Sequence, residues 1–165
     1  MPKLAALAVS VGVLAVVATW IFVGPLAATN LQVWQAFIAW GCHFHSGGKL
    51  TGTRNTVLCM SFGAVVGMAA VLLKGQLGPL GPLAAPVAVG LGATVIVLAS
   101  MVPLLATIPA SVYGFAAIAG LILLKDVAPV DALLPTIGSV VIGAAFGYVS
   151  EWLAGALSKK DAQAA

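Results

Sequence analysis

The sequence has very few charged residues. Its 165 residues include seven Lys and Arg and four Asp and Glu, so 7% are charged and 62% are apolar. A soluble domain usually carries about 25% charged residues. The apolar residues occur in runs that approach the roughly 20 residues needed to cross a bilayer. We therefore predict a single integral membrane domain over residues 1–165, with the lipid bilayer as its main partner.

The basic residues are scattered rather than clustered. They fall between the apolar runs, where Lys and Arg help to determine membrane orientation. A nucleic-acid-binding protein would instead present a basic patch or stripe, so we expect no nucleic-acid partner. The seven residues are Lys3, Lys49, Arg54, Lys74, Lys125, Lys159 and Lys160.

The motifs of common enzyme classes are also missing from the sequence. It contains no nucleotide-binding glycine loop, nucleophile elbow, pair of carboxylates or zinc-protease helix. Its two cysteines, Cys42 and Cys59, have neither zinc-finger nor redox-motif spacing. We therefore expect buried free thiols, no enzyme activity and no cofactor.

What remains is a series of six apolar segments. They predict an all-α membrane protein with about six transmembrane helices. The first segment is longer than the core of a signal peptide and lacks a good cleavage site, so we interpret it as a retained helix. The second and fifth segments are short for a full crossing, and we expect them to be tilted, broken or partly re-entrant. The segments cover about 4–23, 31–45, 56–73, 86–102, 109–124 and 132–157.

The basic residues predict the orientation of these segments. With six crossings, Lys74 and Lys125 fall on one side of the membrane and the other five basic residues fall on the side of the termini. Positive charge is enriched on the cytoplasmic side. We therefore predict that both termini are cytoplasmic and that residues 158–165 form a short cytoplasmic tail.

An internal repeat is indicated when the sequence is shifted by 80 residues against itself. The shift aligns two halves of three helices each, about 4–74 and 84–157. Three helices is an odd number, so the halves would enter the membrane from opposite sides, as in many channels and transporters. The aligned residues include Gly63 with Gly143 and Gly67 with Gly147. Their four-residue spacing predicts close helix packing.

Polar residues that could line a solute path are few. Glu151 is the only acid inside an apolar segment, where an ionisable group needs a partner or an aqueous cavity. His43 and His45 are predicted near the same membrane depth. They could be interfacial residues, a proton-sensitive gate or solute contact, or part of a metal site. About 200 degrees separate them on a helix, so at most one need face a path. Ser111 and Tyr113, at a predicted helix break, are the remaining candidates.

Four short phrases resemble a known family. They are WQAFIAW at Trp34–Trp40, HSGGK at His45–Lys49, IPASVYG at Ile108–Gly114 and GAAFGY at Gly143–Tyr148. Together they resemble domain-of-unknown-function family 1097, a family of small bacterial inner-membrane proteins. The resemblance implies a multi-helix, multi-pass protein of the bacterial inner membrane. It implies no catalytic residues and no particular substrate.

These observations favour a channel or transporter for a small solute. Because 165 residues leave a thin wall around any internal path, we expect a homo-oligomer. The alternative is a non-transporting membrane partner, or a sensor that responds to metal or pH. The proposed solute path or gate contains His43, His45, Glu151, Ser111 and Tyr113.

Overall fold

The computed structural model describes residues 1–162, with side chains as far as Ser158. This part of the chain contains six α-helices, two short 3-10 helices (Gly78–Leu83 and Pro103–Leu105) and no strand. The predicted tail begins inside the last helix, and residues 163–165 lie outside the described residues. The helices are α1 (Lys3–Val23), α2 (Val33–His45), α3 (Lys49–Gln76), α4 (Ala84–Ala99), α5 (Ile108–Lys125) and α6 (Pro129–Ala162).

The length and composition of these helices confirm an all-α protein of membrane type. Five of them are long and apolar enough to cross a bilayer, α4 together with the 3-10 turn before it. The exception is α2, whose 13 residues span about 20 Å, less than the roughly 30 Å of hydrocarbon. The sequence predicted two short helices, whereas α5 has 18 residues and is long enough to cross.

The helices form a bundle whose outer surface is apolar. Helix α3 packs most extensively against α5, α2 packs most extensively against α6, and α3 and α6 also contact each other. Helix α1 lies on α6, and α4 lies on α3. Large side chains such as Val16, Trp20 and Leu134 are exposed on the outside. An apolar surface of this extent is expected of a protein that lipid solvates.

Glycines sit where the central helices come closest. A Cβ atom on Gly63 would overlap the backbone of Ser111 in α5, and one on Gly143 would overlap the backbone of Ala36 in α2. Gly67 similarly faces Phe115 and Ile118, and Gly147 faces the ring of His43. Small residues let helix backbones approach closely in membranes. The α3–α5 and α2–α6 contacts therefore have little room for larger side chains at these positions.

The connections that precede α2 and α5 return into the bundle. The backbone N–H of Gln32 donates a hydrogen bond of 2.9 Å to Ser139 Oγ in α6. In the other connection, Cys59 Sγ in α3 donates to the carbonyl of Leu104 at 3.6 Å. Each of these connections is therefore attached to a long central helix.

Candidate functional site

A tight turn joins α2 to α3 and brings their polar ends to α6. Gly47 and Gly48 have φ values of 101° and 65°, in the left-handed region that glycine adopts without steric penalty. Lys49, the first residue of α3, has a φ of 52° and is also left-handed. The turn reverses the chain within three residues. As a result, the end of α2 and the start of α3 face the same part of α6.

At this point His43 of α2 meets Glu151 of α6. The imidazole Nε2 lies 3.0 Å from the carboxylate Oε2, and the His43 side chain is fully buried whereas that of Glu151 is 31% exposed. The same oxygen accepts a hydrogen bond from the backbone N–H of Lys49. Glu151 thus places a carboxylate at the positive N-terminal end of α3, where negative charge is stabilised. No side chain of α3 itself caps this end.

The second nitrogen of the imidazole contacts Thr53. His43 Nδ1 lies 3.2 Å from Thr53 Oγ1, and that hydroxyl also lies 3.0 Å from the carbonyl oxygen of Lys49. When the imidazole is cationic, both ring nitrogens donate, to Glu151 and Thr53, and the hydroxyl donates to the Lys49 carbonyl. When Nδ1 loses its proton, the hydroxyl can turn and donate to the ring. Rotation of one hydroxyl therefore keeps Thr53 hydrogen-bonded whether Nδ1 is a donor or an acceptor.

Two glycines leave the space that this polar group occupies, and a third lets α3 approach the backbone of α2. A Cβ on Gly147 would overlap the His43 ring, and a Cβ on Gly48 would overlap the Glu151 carboxylate. A Cβ on Gly52 would overlap the carbonyl oxygen of His43. The imidazole and the carboxylate are thus held by backbone on several sides. We call His43 and Glu151 the polar pair. The polar pair together with Thr53 and the backbone of Lys49 is the polar site.

The other predicted residues lie elsewhere in the bundle. His45 is exposed, and its ring approaches the edge of Tyr113 with the centroids 6.2 Å apart. Ser111 is buried in the α3–α5 contact, and its hydroxyl has no hydrogen-bond partner among the described residues. The structure therefore brings Glu151 together with His43 and not with His45.

Two polar residues inside the bundle could not be identified from the sequence, Thr53 of the polar site and Gln35, which lies outside it. Thr53 lies ten positions after His43, and the predicted third segment begins only at 56, so Thr53 was outside the predicted helices. Gln35 is also buried, and its amide donates to the carbonyl of Ala117 at 2.9 Å and to Thr136 Oγ1 at 3.1 Å. The only sequence feature that pointed to Gln35 was its position as a polar residue within a short apolar segment.

The described residues offer few ligands for a metal ion. Among them, no group of three or more His, Cys, Asp or Glu side chains is arranged to hold a metal. Both cysteines are buried free thiols. Within the polar site, the imidazole of His43 and the carboxylate of Glu151 lie within hydrogen-bond distance.

Comparison with known proteins places the chain in a family. No curated protein and no solved structure shows significant similarity to it. The model of the family described as "Protein of unknown function (DUF1097)" matches residues 8–155, which is nearly the whole chain. The chain therefore belongs to the DUF1097 family, as the four sequence phrases predicted.

Proposed function

We propose that the chain consists of two inverted halves, α1–α3 and α4–α6. The support comes first from the helix contacts. If the halves are exchanged, the α3–α5 contact becomes the α6–α2 contact, and these are the two most extensive in the bundle. The contact of α1 with α6 likewise becomes that of α4 with α3, and the α3–α6 contact becomes itself. This is the pattern expected of a pseudo-twofold axis in the membrane plane.

Individual residue contacts support the same proposal. Gly63 meets Ser111 as Gly143 meets Ala36, and in both cases a glycine of the third helix faces the backbone of a second helix. In this proposal the third helices correspond at a shift of 80 residues, and the second helices correspond at a shift of 75 residues rather than 80.

A further pair of contacts follows the same shifts. Gly147 faces His43 as Gly67 faces Ile118. The connections before the second helices are also attached to corresponding positions of the third helices, since Ser139 contacts Gln32 and its counterpart Cys59 contacts Leu104. Gln32 and Leu104 themselves are not related by the 75-residue shift.

One difference between the halves supports a functional role for the polar site. The counterparts of His43, Glu151 and Thr53 are Ile118, Val71 and Leu133, which pack together in an apolar cluster. The same helix arrangement is therefore filled by apolar side chains in one half. Ionisable groups within membrane helices are costly and usually serve function. Because packing alone does not require His43 and Glu151, we assign them to the activity.

The activity we propose is passage of a small solute through the membrane, as a channel or transporter. The polar site would form a proton-sensitive element at the cytoplasmic end of the solute path, in a homo-oligomer of the bacterial inner membrane. Inverted repeats are common in such proteins, with sites between the halves. Histidine changes charge near physiological pH. The single observation that carries the proposal is the presence of the contacting ionisable pair His43 and Glu151 where the other half is apolar.

A flux panel tests the proposal. Purified protein in liposomes should pass at least one of a set of small ions and neutral solutes above the rate of empty vesicles, with a rate that depends on pH. The Glu151→Gln variant should flatten this pH profile. Asp126→Asn is the matched control because Asp126 is an exposed acid outside the polar site. Absence of flux for every solute at every pH would refute a transport function.

The proton-exchanging network also favours a second candidate, a pH-responsive membrane sensor. Rotation of the Thr53 hydroxyl toward His43 would release the carbonyl of Lys49 at the start of α3. A sensor would show a pH-dependent change in protease sensitivity of the α2–α3 turn without any flux. A metal-responsive sensor has less support, because the polar site supplies only one imidazole and one carboxylate.

A further inference from the structure

A cleft opens beside the polar site at the same end of the bundle. It lies between the first turns of α1 and α3 and the last turns of α6, and its volume is about 640 Å³. Volumes of 300 to 1,000 Å³ are typical of sites for small molecules. Lys3 and Lys49 supply its two cationic side chains, and Leu7, Leu50 and Trp152 supply apolar surface. The cleft therefore combines positive charge with an apolar wall.

The distribution of charge in the cleft favours an anionic occupant. Glu151 also lines it, but its Oε2 already accepts hydrogen bonds from the Lys49 backbone and contacts the His43 ring. The ammonium groups of Lys3 and Lys49 have no ion pair within the described part of the chain. Both side chains are exposed. An anion in the cleft would thus meet two cations and one carboxylate that is already bonded.

The apolar wall indicates that the occupant is an amphiphile rather than a soluble anion. Leu50 and Trp152 are 72% and 66% exposed, although both lie in a cleft that also contains lysines. Exposed indoles favour the headgroup zone of a membrane. Lysines at this level attract anionic lipid headgroups.

We propose that this cleft is a binding site for one anionic phospholipid. The phosphate lies by Lys3 and Lys49, and an acyl chain lies along Leu7, Leu50 and Trp152. The site holds the N-terminus of α1 against α3 and α6 through the lipid. The proposal does not depend on transport, because binding is measured without flux.

Native mass spectrometry of the full chain in detergent tests this site. The probes are phosphatidylglycerol and phosphatidylcholine with identical acyl chains, and inorganic phosphate as a competitor. Each lysine near an anionic headgroup strengthens binding about fivefold, so the Lys3→Gln/Lys49→Gln variant should bind phosphatidylglycerol about 30-fold more weakly. Lys74→Gln/Lys125→Gln is the matched control, because those lysines lie at the other ends of α3 and α5. It should bind as the parent does.

Three results would overturn the proposal. Equal affinity for the two lipids would show that the lysines do not select charge. An equal loss of phosphatidylglycerol affinity in the control variant would show that the lipid is attracted to basic residues in general. Complete displacement by millimolar phosphate would identify a site for a soluble anion. If the double variant does not fold, the single variants Lys3→Gln and Lys49→Gln provide the same test. Each should bind phosphatidylglycerol about fivefold more weakly than the parent.

Discussion

Removal of the Glu151 carboxylate should destabilise the protein through two groups that lose their acceptor. In Glu151→Val, the Lys49 N–H at the start of α3 and the buried Nε2 of His43 are left without a partner. Loss of an acceptor at a helix N-terminus costs about 0.5–2 kcal/mol. An unpaired buried donor costs about 1–3 kcal/mol. Glu151 is 31% exposed and water reaches part of the site, so we expect the lower part of the combined range, about 1.5–3 kcal/mol.

The double variant His43→Ile/Glu151→Val should recover part of this loss. It introduces the side chains that occupy the corresponding positions in the other half, Ile118 and Val71, which pack in an apolar cluster. No buried imidazole is then left unpaired, and the Lys49 N–H is the remaining unsatisfied group. We expect the double variant to be more stable than Glu151→Val by about 1 kcal/mol or more. Comparison with His43→Ile alone then gives the coupling of the two substitutions.

A double-mutant cycle measures this coupling. The parent, the two single variants and the double variant are unfolded by denaturant in the same detergent, and their free energies of unfolding are compared. If the effects of the two substitutions add to within about 0.5 kcal/mol, then His43 and Glu151 do not interact energetically and the reasoning is wrong.

Three further predictions concern packing, topology and proton exchange. Gly63→Ala should lower the free energy of unfolding by about 1–3 kcal/mol, because the added Cβ overlaps α5. Gly90 faces open space, so Gly90→Ala should leave that free energy unchanged or raise it by up to about 1 kcal/mol in the same unfolding assay. Reporter fusions after Lys74 and after Asp126 should report the periplasm, and a cytoplasmic signal at either would contradict the orientation. Thr53→Val should flatten the pH dependence of flux and Thr53→Ser should retain it, and an unchanged profile in Thr53→Val would remove the hydroxyl from the proposed proton exchange.

The helices were predictable because hydropathy reports directly on the bilayer. The predicted segment 86–102 and the observed α4, Ala84–Ala99, differ by only two or three residues at each end. The start of α3 was missed because hydropathy detects the apolar run and not its polar extension. The helix begins at Lys49, seven residues before the predicted start at 56. Because Thr53 lies in that extension, hydropathy did not place it in a helix and offered no reason to include it in the polar site.

The polar site was predictable in outline but not in its choice of histidine. The cost of a carboxylate in a membrane helix predicts a partner for Glu151, and helical phase predicts that only one of His43 and His45 can be that partner. The choice depends on which face of α2 meets α6. Gly147 provides the space for the ring of His43, and this contact depends on the register between two helices more than 100 residues apart in sequence.

Solute flux through the double variant His43→Ile/Glu151→Val tests the central claim most directly. This variant replaces the polar pair by the apolar residues of the other half, so it should fold and assemble. We predict that in liposomes it passes less than about a tenth of the parental flux at every pH, since the proton-exchanging groups are gone while the helix packing is kept. Parental flux with a parental pH profile in the folded double variant would show that His43 and Glu151 serve packing alone.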